Sequence, residues 1–218
     1  MNRDIIDVPR LFMEGRQFNW RIDWRGQPPS EGTNGSEQVV YNRLPRFVGK
    51  PTITLPSPMI GAWRAMVVRA RGRVGAYRMR MIDPVSAPET QGDWFQNWQA
   101  YQAGLYQEPR PRVACPLGAA AGATSIVVNE TLAAEPIRVG AWLSYNDWPF
   151  AVVGRTGSGA ETTLQVDMLR KAIPPAGMID LFARGIFLAK SDEMGFPEYR
   201  FGEGGTATFD LVEWVNRS

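Results

Sequence analysis

The chain has 218 residues, of which 44% are apolar and 11% aromatic, enough for a substantial hydrophobic core in one large domain or two small ones. It contains no histidine, which excludes Ser-His-Asp and Cys-His catalysis, histidine metal sites and imidazole proton transfer. Its single cysteine, Cys115, excludes an internal disulfide and a cysteine metal cluster, and we interpret it as a small apolar core residue. The sequence predicts a protein that is not an enzyme and that uses neither a metal nor a cofactor.

The net charge of +2 is unevenly distributed along the chain. Residues 1–80 contain 14 Arg or Lys against 6 Asp or Glu, a net charge of +8, whereas residues 81–218 contain 10 against 16, a net charge of −6. Complementary potentials of this kind allow copies to associate head to tail. Two separately solvated parts would give the same count, so both interpretations stay open.

Alternating apolar and polar residues predict β-strands in the first third of the chain. After an extended segment at residues 4–15, the alternation is strictest at residues 17–25. One face of that strand carries four large apolar side chains: Phe18, Trp20, Ile22 and Trp24. Residues 26–35 are rich in Gly and Pro and predict turns. Further strands are predicted at residues 38–41, 50–55 and 76–82.

One α-helix is predicted at residues 58–71. Ser57 is a favourable N-cap and Pro58 suits the first helical position, while Gly72 can end the helix in the left-handed conformation. Apolar residues recur at helical spacing and leave Arg64 and Arg71 more exposed. The apolar face consists of Met59, Ile60, Trp63, Met66, Val67 and Ala70.

Residues 84–112 show no clear period, and we interpret them as a linker or surface excursion with a short helix near residues 95–103. The segment is rich in aromatic residues, namely Trp94, Phe95, Trp98, Tyr101 and Tyr106. These rings could pack in the chain's own core, contact a neighbouring subunit or stack on a sugar. Tyr and Trp favour interfaces because they bury a large area at low entropic cost.

From residue 113 onward, short strand candidates follow one another with turns between them. They lie at residues 125–128, 141–145, 150–153, 163–166 and 178–182. Short strands at this spacing predict a small antiparallel β-barrel at residues 113–190. Residues 206–214 alternate again, so residues 191–218 are expected to return as a strand to a first domain formed by residues 1–112. The predicted fold is mainly β with one α-helix, a β-sandwich-like domain with a small inserted barrel.

The densest basic run of the sequence is our candidate subunit interface. It consists of Arg69, Arg71, Arg73, Arg78 and Arg80, to which we add the aromatic residues Trp94, Phe95 and Trp98. Arginine suits protein interfaces because its planar fork binds carboxylates with two hydrogen bonds. A solvated face and phosphate contacts are the alternatives. The nearly neutral total charge and the lack of a nucleic-acid motif argue against specific nucleic-acid binding.

Two carboxylate pairs leave open a different chemistry. Asp192 stands beside Glu193, and Asp210 stands three residues before Glu213. A glycosidase needs two carboxylates several ångströms apart across a sugar-binding groove, and sequence alone does not establish that geometry.

Six dispersed segments carry a resemblance to a known family. They are residues 46–50 (RFVGK), 55–59 (LPSPM), 70–78 (ARGRVGAYR), 119–125, 138–142 and 208–213. Across roughly residues 45–215 the chain resembles the distal tail or minor tail proteins of long-tailed, siphovirus-type bacteriophages. The resemblance implies a ring of copies, commonly six, below the last tail-tube ring. It also implies a tube-forming β domain that carries a helix, a peripheral small barrel and no catalytic residues.

We therefore expect a structural subunit of the phage tail tip, whose ring joins the tail tube to the baseplate hub. The expected partners are copies of itself, the tail tube protein, the hub and other tail-tip proteins. The expected location is the virion, with synthesis in the host cytoplasm and no membrane insertion, because the sequence lacks a secretion signal and a span of ~20 apolar residues. The alternatives are a carbohydrate-binding baseplate module that contacts the host surface and a carboxylate-dependent cell-wall hydrolase.

Overall fold

The structure is a computed structural model that describes residues 3–13, 15–25, 30–31, 37–38, 45–86, 94–199 and 203–217. Within these ranges the chain is mainly β, with one main helix and several sheets. The helices in these ranges are α1 (Ile60–Ala70) and α2 (Trp94–Gln102). The strands up to α2 are β1 (Ile5–Asp7), β2 (Gly15–Gln17), β3 (Trp20–Asp23), β4 (Ser30–Glu31), β5 (Glu37–Gln38), β6 (Arg46–Gly49), β7 (Thr52–Leu55) and β8 (Ala76–Arg80). Those after it are β9 (Arg112–Cys115), β10 (Ser125–Val128), β11 (Trp142–Tyr145), β12 (Trp148–Thr156), β13 (Thr162–Val166), β14 (Gly177–Asp180), β15 (Arg184–Ala189), β16 (Glu198–Tyr199), β17 (Gly205–Thr208) and β18 (Leu211–Glu213).

The first large sheet combines strands from both ends of the chain, in the order β1-β8-β15-β18-β6-β3. Among its described strand pairs only β1–β8 is parallel, and β18 pairs with both β15 and β6. A smaller sheet, β16-β17-β7-β2, shares its hydrophobic core, and β4 and β5 form a two-stranded sheet. This first core is built on large buried side chains, among them Phe12, Phe47, Trp63, Tyr77, Phe187 and Phe209.

The second large sheet has the order β10-β13-β12-β11-β14-β9, and its strand pairs are antiparallel. It covers a separate hydrophobic core that contains Cys115, as expected for a small apolar residue. An isolated bridge joins Ala114 to Asn129, whose amide donates to the Ala114 carbonyl at 2.9 Å. The ladders between the described residues do not close this sheet into a barrel.

Helix α1 confirms the helix predicted at residues 58–71, although its ends differ from the prediction. A 3-10 turn at Ser57–Met59 leads into α1, so the N-cap is Met59 rather than Ser57. The buried face of α1 includes Trp63, whose indole Nε1 donates to the carbonyl of Gly195 at 2.7 Å. At the other end Arg71 itself adopts the left-handed conformation with φ of 51°, immediately before Gly72 at 62°. The left-handed backbone conformation that ends the helix therefore begins at Arg71, one residue before the glycine that the sequence predicts for this position.

Several strand predictions need correction. Residues 17–25 are split between β2 and β3, and Trp24 lies on the surface although strict alternation places it on the buried face. Strand β15 is absent from the predictions, and it pairs in the first sheet although it falls within the predicted barrel range. The prediction at residues 38–41 lies largely outside the described residues.

Two glycines allow a matched test of the packing. A Cβ at Gly61, in α1, would meet no atom from beyond its own stretch of helix within 4 Å, whereas a Cβ at Gly49 would overlap the ring of Trp20. We expect Gly61→Ala to raise the free energy of unfolding by roughly 0.5–1 kcal/mol, because alanine restricts the unfolded chain. Gly49→Ala should lower it by about 1–3 kcal/mol through overpacking. Urea denaturation measures both, and equal stabilities for the two variants would contradict the described packing.

Candidate functional site

Three of the predicted interface arginines lie on the surface at the C-terminal end of α1. Arg69 ion-pairs with Asp4 at 3.5 Å, and both side chains are more than half exposed. Arg73 holds Asp192 through two hydrogen bonds, from Nε at 3.1 Å and Nη2 at 3.2 Å. Arg71 is exposed at the end of the helix. The exposed pairs contribute little to stability, so these side chains can form contacts with another protein.

The next two predicted arginines are engaged inside the chain. Arg80 is buried, and its guanidinium carbon lies 3.4 Å from the centre of the Phe182 ring. Arg78 donates from Nε to Asp147 at 2.8 Å and from Nη1 to Asp7 at 2.9 Å. Arg78 and Arg80, which alternate along β8, therefore make contacts within the chain. The dense basic run in the sequence does not reveal this.

The aromatic side chains of this segment are likewise divided between the core and the surface. Trp98 is buried and stacks on Tyr101 with 5.6 Å between ring centres, and both rings meet Phe12 edge-on. Phe95 is half exposed on the same helix. Trp94 begins α2, and its side chain lies outside the described residues. Packing in the chain's own core, one of the three alternatives, accounts for Trp98 and Tyr101.

The most elaborate arrangement of charges lies where the two large sheets meet. The turn between β11 and β12 consists of Asn146 and Asp147, both in the left-handed conformation with φ of 51° and 64°. Asn and Asp tolerate this conformation best among non-glycine residues, and a two-residue turn of this type matches the twist of a hairpin. The local sequence therefore forms the tight hairpin tip that carries the Asp147 carboxylate.

Asp147 is the centre of a cluster of arginines. Besides its hydrogen bond from Arg78, its carboxylate lies 3.9 Å from Nε of Arg184, and its backbone carbonyl accepts a hydrogen bond from Arg217. Arg217 also covers the ring of Trp148, with its guanidinium carbon 3.9 Å from the ring centre. The tip of the second sheet is thus held by arginines from three separate segments of the chain.

A buried ion pair reinforces this junction. Arg170, which follows β13, contacts the Glu213 carboxylate of β18 at 3.3 Å, and both side chains are almost completely buried. Arg170 also donates to the carbonyl of Pro149 at 2.8 Å, and Glu213 accepts from the amide of Phe47 at 2.9 Å. Burial raises the pKa of Glu213, an effect that the Arg170 charge and the Phe47 amide offset in part.

Arginines and aspartates line a cleft beside the hairpin tip, which we call the arginine cleft. Its volume is about 520 Å³. Its charged walls are Arg78, Arg110, Arg112, Arg184, Asp147 and Asp180. Asp180 accepts from Nε of Arg112 at 2.7 Å and from Nη2 of Arg110 at 3.1 Å. The cleft therefore carries an excess of positive charge in a partly enclosed volume.

A second cavity of about 700 Å³ also borders the hairpin tip and shares Arg78, Asn146 and Asp147 with the arginine cleft. Lys171 and Arg217 add positive charge to its walls. Burial lowers the pKa of Arg217 to about 10, although nearby carboxylates oppose this shift. Arg217 therefore remains a cation at neutral pH.

Three of the four carboxylates in the two pairs noted in the sequence are engaged in internal contacts. Asp192 is held by Arg73, and Asp210 lies 2.7 Å from the Lys190 amine. Glu213 is buried against Arg170. Across the described ranges, His, Cys, Asp and Glu side chains form no group of three suited to a metal ion.

No signal in the sequence points to the arginine cleft. Its residues come from β8, the start of β9 and the segment before it, the end of β11 and the turn that follows, β14 and β15, which are far apart along the chain. Asn146 and Asp147 have turn chemistry in the sequence, but their docking onto β8 depends on how the two sheets face each other.

No protein-family model matches this chain, and no curated protein matches it either. Among the described residues, no helix is long and apolar enough to span a membrane.

The Asp147 contact is open to a conservative test. We expect Asp147→Asn to lower the free energy of unfolding by about 2–3 kcal/mol, because Arg78 and Arg184 lose the carboxylate that offsets their burial. Asparagine retains the left-handed turn, so the loss reports on charge rather than on backbone strain.

Asp7→Asn provides the control for this experiment, since Asp7 also pairs with Arg78 but its side chain is 61% exposed, against 13% for Asp147. The change at Asp7 should stay within about 1 kcal/mol. Chemical denaturation of both variants measures the difference. Equal losses of unfolding free energy in the two variants would show that the contact of Asp147 with Arg78 and Arg184 is no stronger than that of Asp7.

Proposed function

We propose that the chain is a non-enzymatic structural subunit of a bacteriophage tail tip, in which copies form a ring that joins the tail tube to the baseplate hub. The ring is expected to contain six copies, as the resemblance to distal tail proteins implies. Its further partners are the tail tube protein, the hub and other tail-tip proteins. The protein acts by burying surface against its neighbours.

The observation that carries this proposal is the surface at the end of α1. It combines exposed arginines with exposed apolar side chains within one short stretch, and we call it the helix-end surface. Its residues are Val68, Arg69, Arg71, Arg73 and Val74. Val68 is 56% and Val74 58% exposed. Protein interfaces are enriched in arginine and bury apolar area at their centres.

The charge distribution supports contact between copies of this chain. Residues 1–80 contribute +8 and include the helix-end surface, while residues 81–218 contribute −6. An acidic face of one copy can therefore meet the basic surface of the next, and such a heterologous contact closes into a ring when its rotation allows. A stable contact needs on the order of 1,000 Å² of buried surface.

The finer fold description belongs to the same proposal. We take the first core with its two sheets as a β-sandwich-like ring domain, and the second sheet as a small barrel at the periphery. The Ala114–Asn129 bridge supports the barrel, because it links the strand β9 at one edge to the residue that follows β10 at the other. The strand β18 between β15 and β6 supports a C-terminal return to the first domain.

Removing the charges of the helix-end surface tests the assembly. We expect the combined variant Arg69→Gln, Arg71→Asn and Arg73→Gln to remain folded and to lose ring formation, because the exposed ion pairs contribute little to stability. Asparagine is chosen at position 71 to suit its left-handed backbone. Light scattering coupled to gel filtration measures the oligomeric state, and circular dichroism measures the fold.

The exposed Arg138, which pairs with Glu135 outside the helix-end surface, provides the control through Arg138→Gln. This variant should assemble like the unmodified chain. Rings of unchanged size in the triple variant would show that the helix-end surface is not part of the interface. A chain that stays monomeric at high concentration and in the presence of tail-tube protein would contradict the proposed function itself.

A further inference from the structure

We propose that the arginine cleft is a binding site for a small oxyanion ligand, a molecule or terminal group that carries phosphate or carboxylate. Four guanidinium groups and two carboxylates form its charged walls. Asp7 neutralises part of this charge through Arg78 and Arg184, and an excess of one positive charge remains. The Arg184 side chain is only 15% exposed, so water screens its charge less than it would on an open surface.

The arginines are held in place before any ligand arrives. Asp180 has a side chain only 6% exposed, whereas Arg110 and Arg112 are 39% and 38% exposed. The carboxylate therefore lies on the protein side and the two guanidinium groups lie towards the cleft. A fixed pair of arginines binds an oxyanion at a smaller entropic cost than flexible side chains would.

The cleft arginines also retain donors for a ligand. A guanidinium carries five N–H groups, and Arg112 uses its Nε for Asp180. Arg184 is mostly buried, yet its ion pairs with Asp7 and Asp147, at 3.7 and 3.9 Å, are longer than hydrogen bonds. Phosphate and carboxylate oxygens match such a fork because they accept two parallel N–H bonds.

The size of the cleft indicates a small ligand. A volume of about 520 Å³ falls within the range of roughly 300–1,000 Å³ that is usual for small-molecule sites. Tyr145 and Asn146 add neutral polar groups beside the charged walls, which suits the uncharged body of a ligand. An extended polyanion would instead need a basic groove that follows its backbone.

The test is a calorimetric titration of the purified chain at low ionic strength, which needs no assembled ring and is therefore independent of the proposed function. The probes are inorganic phosphate, glucose 6-phosphate, glucuronate, neutral glucose and a hexaglutamate peptide. We expect at least one of the small phosphate and carboxylate probes to bind, with an affinity that falls as salt is added, while glucose does not bind. The comparison of glucose 6-phosphate with glucuronate tells which oxyanion the cleft prefers.

Arg112→Gln should weaken binding about tenfold, the effect of losing a charge-assisted hydrogen bond. The variant should fold, because Asp180 keeps its bond from Arg110. Arg184→Lys is a second variant that keeps the charge but loses the planar fork, and it should also weaken binding. Arg21→Gln, an exposed position on β3 at the far edge of the first sheet, is the matched control and should bind like the unmodified chain.

Three results would overturn the proposal. The first is that none of the small anionic probes binds, including the case in which only the hexaglutamate peptide does. The second is unchanged binding in both Arg112→Gln and Arg184→Lys. The third is an equal loss of affinity in Arg21→Gln, which would indicate a diffuse charge effect rather than a site.

Discussion

The docking of the Asn146–Asp147 turn against arginines is the contact around which the charges between the two large sheets are arranged. Asp147 places a nearly buried carboxylate next to Arg78 and Arg184, and Arg217 closes over its backbone carbonyl. Charges that leave water incur a large desolvation cost unless they are paired and hydrogen-bonded. The pairing of the turn with the arginines offsets that cost and, together with the buried Arg170–Glu213 pair, holds the two hydrophobic cores in this mutual arrangement.

The same contact gives the junction its two cavities. The turn contacts β8 and the C-terminal segment, and it borders both the arginine cleft and the second cavity. The arginines that secure the turn also line both cavities. The pairing of guanidinium groups with carboxylates stabilises the junction, and the guanidinium charge in excess of those carboxylates underlies the proposed attraction for anions.

Ion pairs within one copy neutralise part of the charge asymmetry of the sequence. Arg73 and Arg78 belong to the basic first part, and their partners Asp192 and Asp147 belong to the acidic second part. The proposed head-to-tail association therefore relies on the charge that remains at the surface, which includes Arg71 and the exposed Arg69 beside Asp4. This division also separates the arginine cleft at the junction from the helix-end surface.

The sequence by itself determined the local elements that have a strong period or a specific turn chemistry. The helix near residues 58–71 follows from Pro58 and its apolar face, and β10 at residues 125–128 coincides with the predicted strand. Only the tertiary structure decided which arginines are internal, because Arg78 and Arg80 look no different from Arg69 and Arg71 in sequence. It also decided the place of β15 and the formation of the arginine cleft, because both depend on contacts between residues that are distant along the chain. The periodicity of apolar residues in the sequence reports only on residues that are close along the chain.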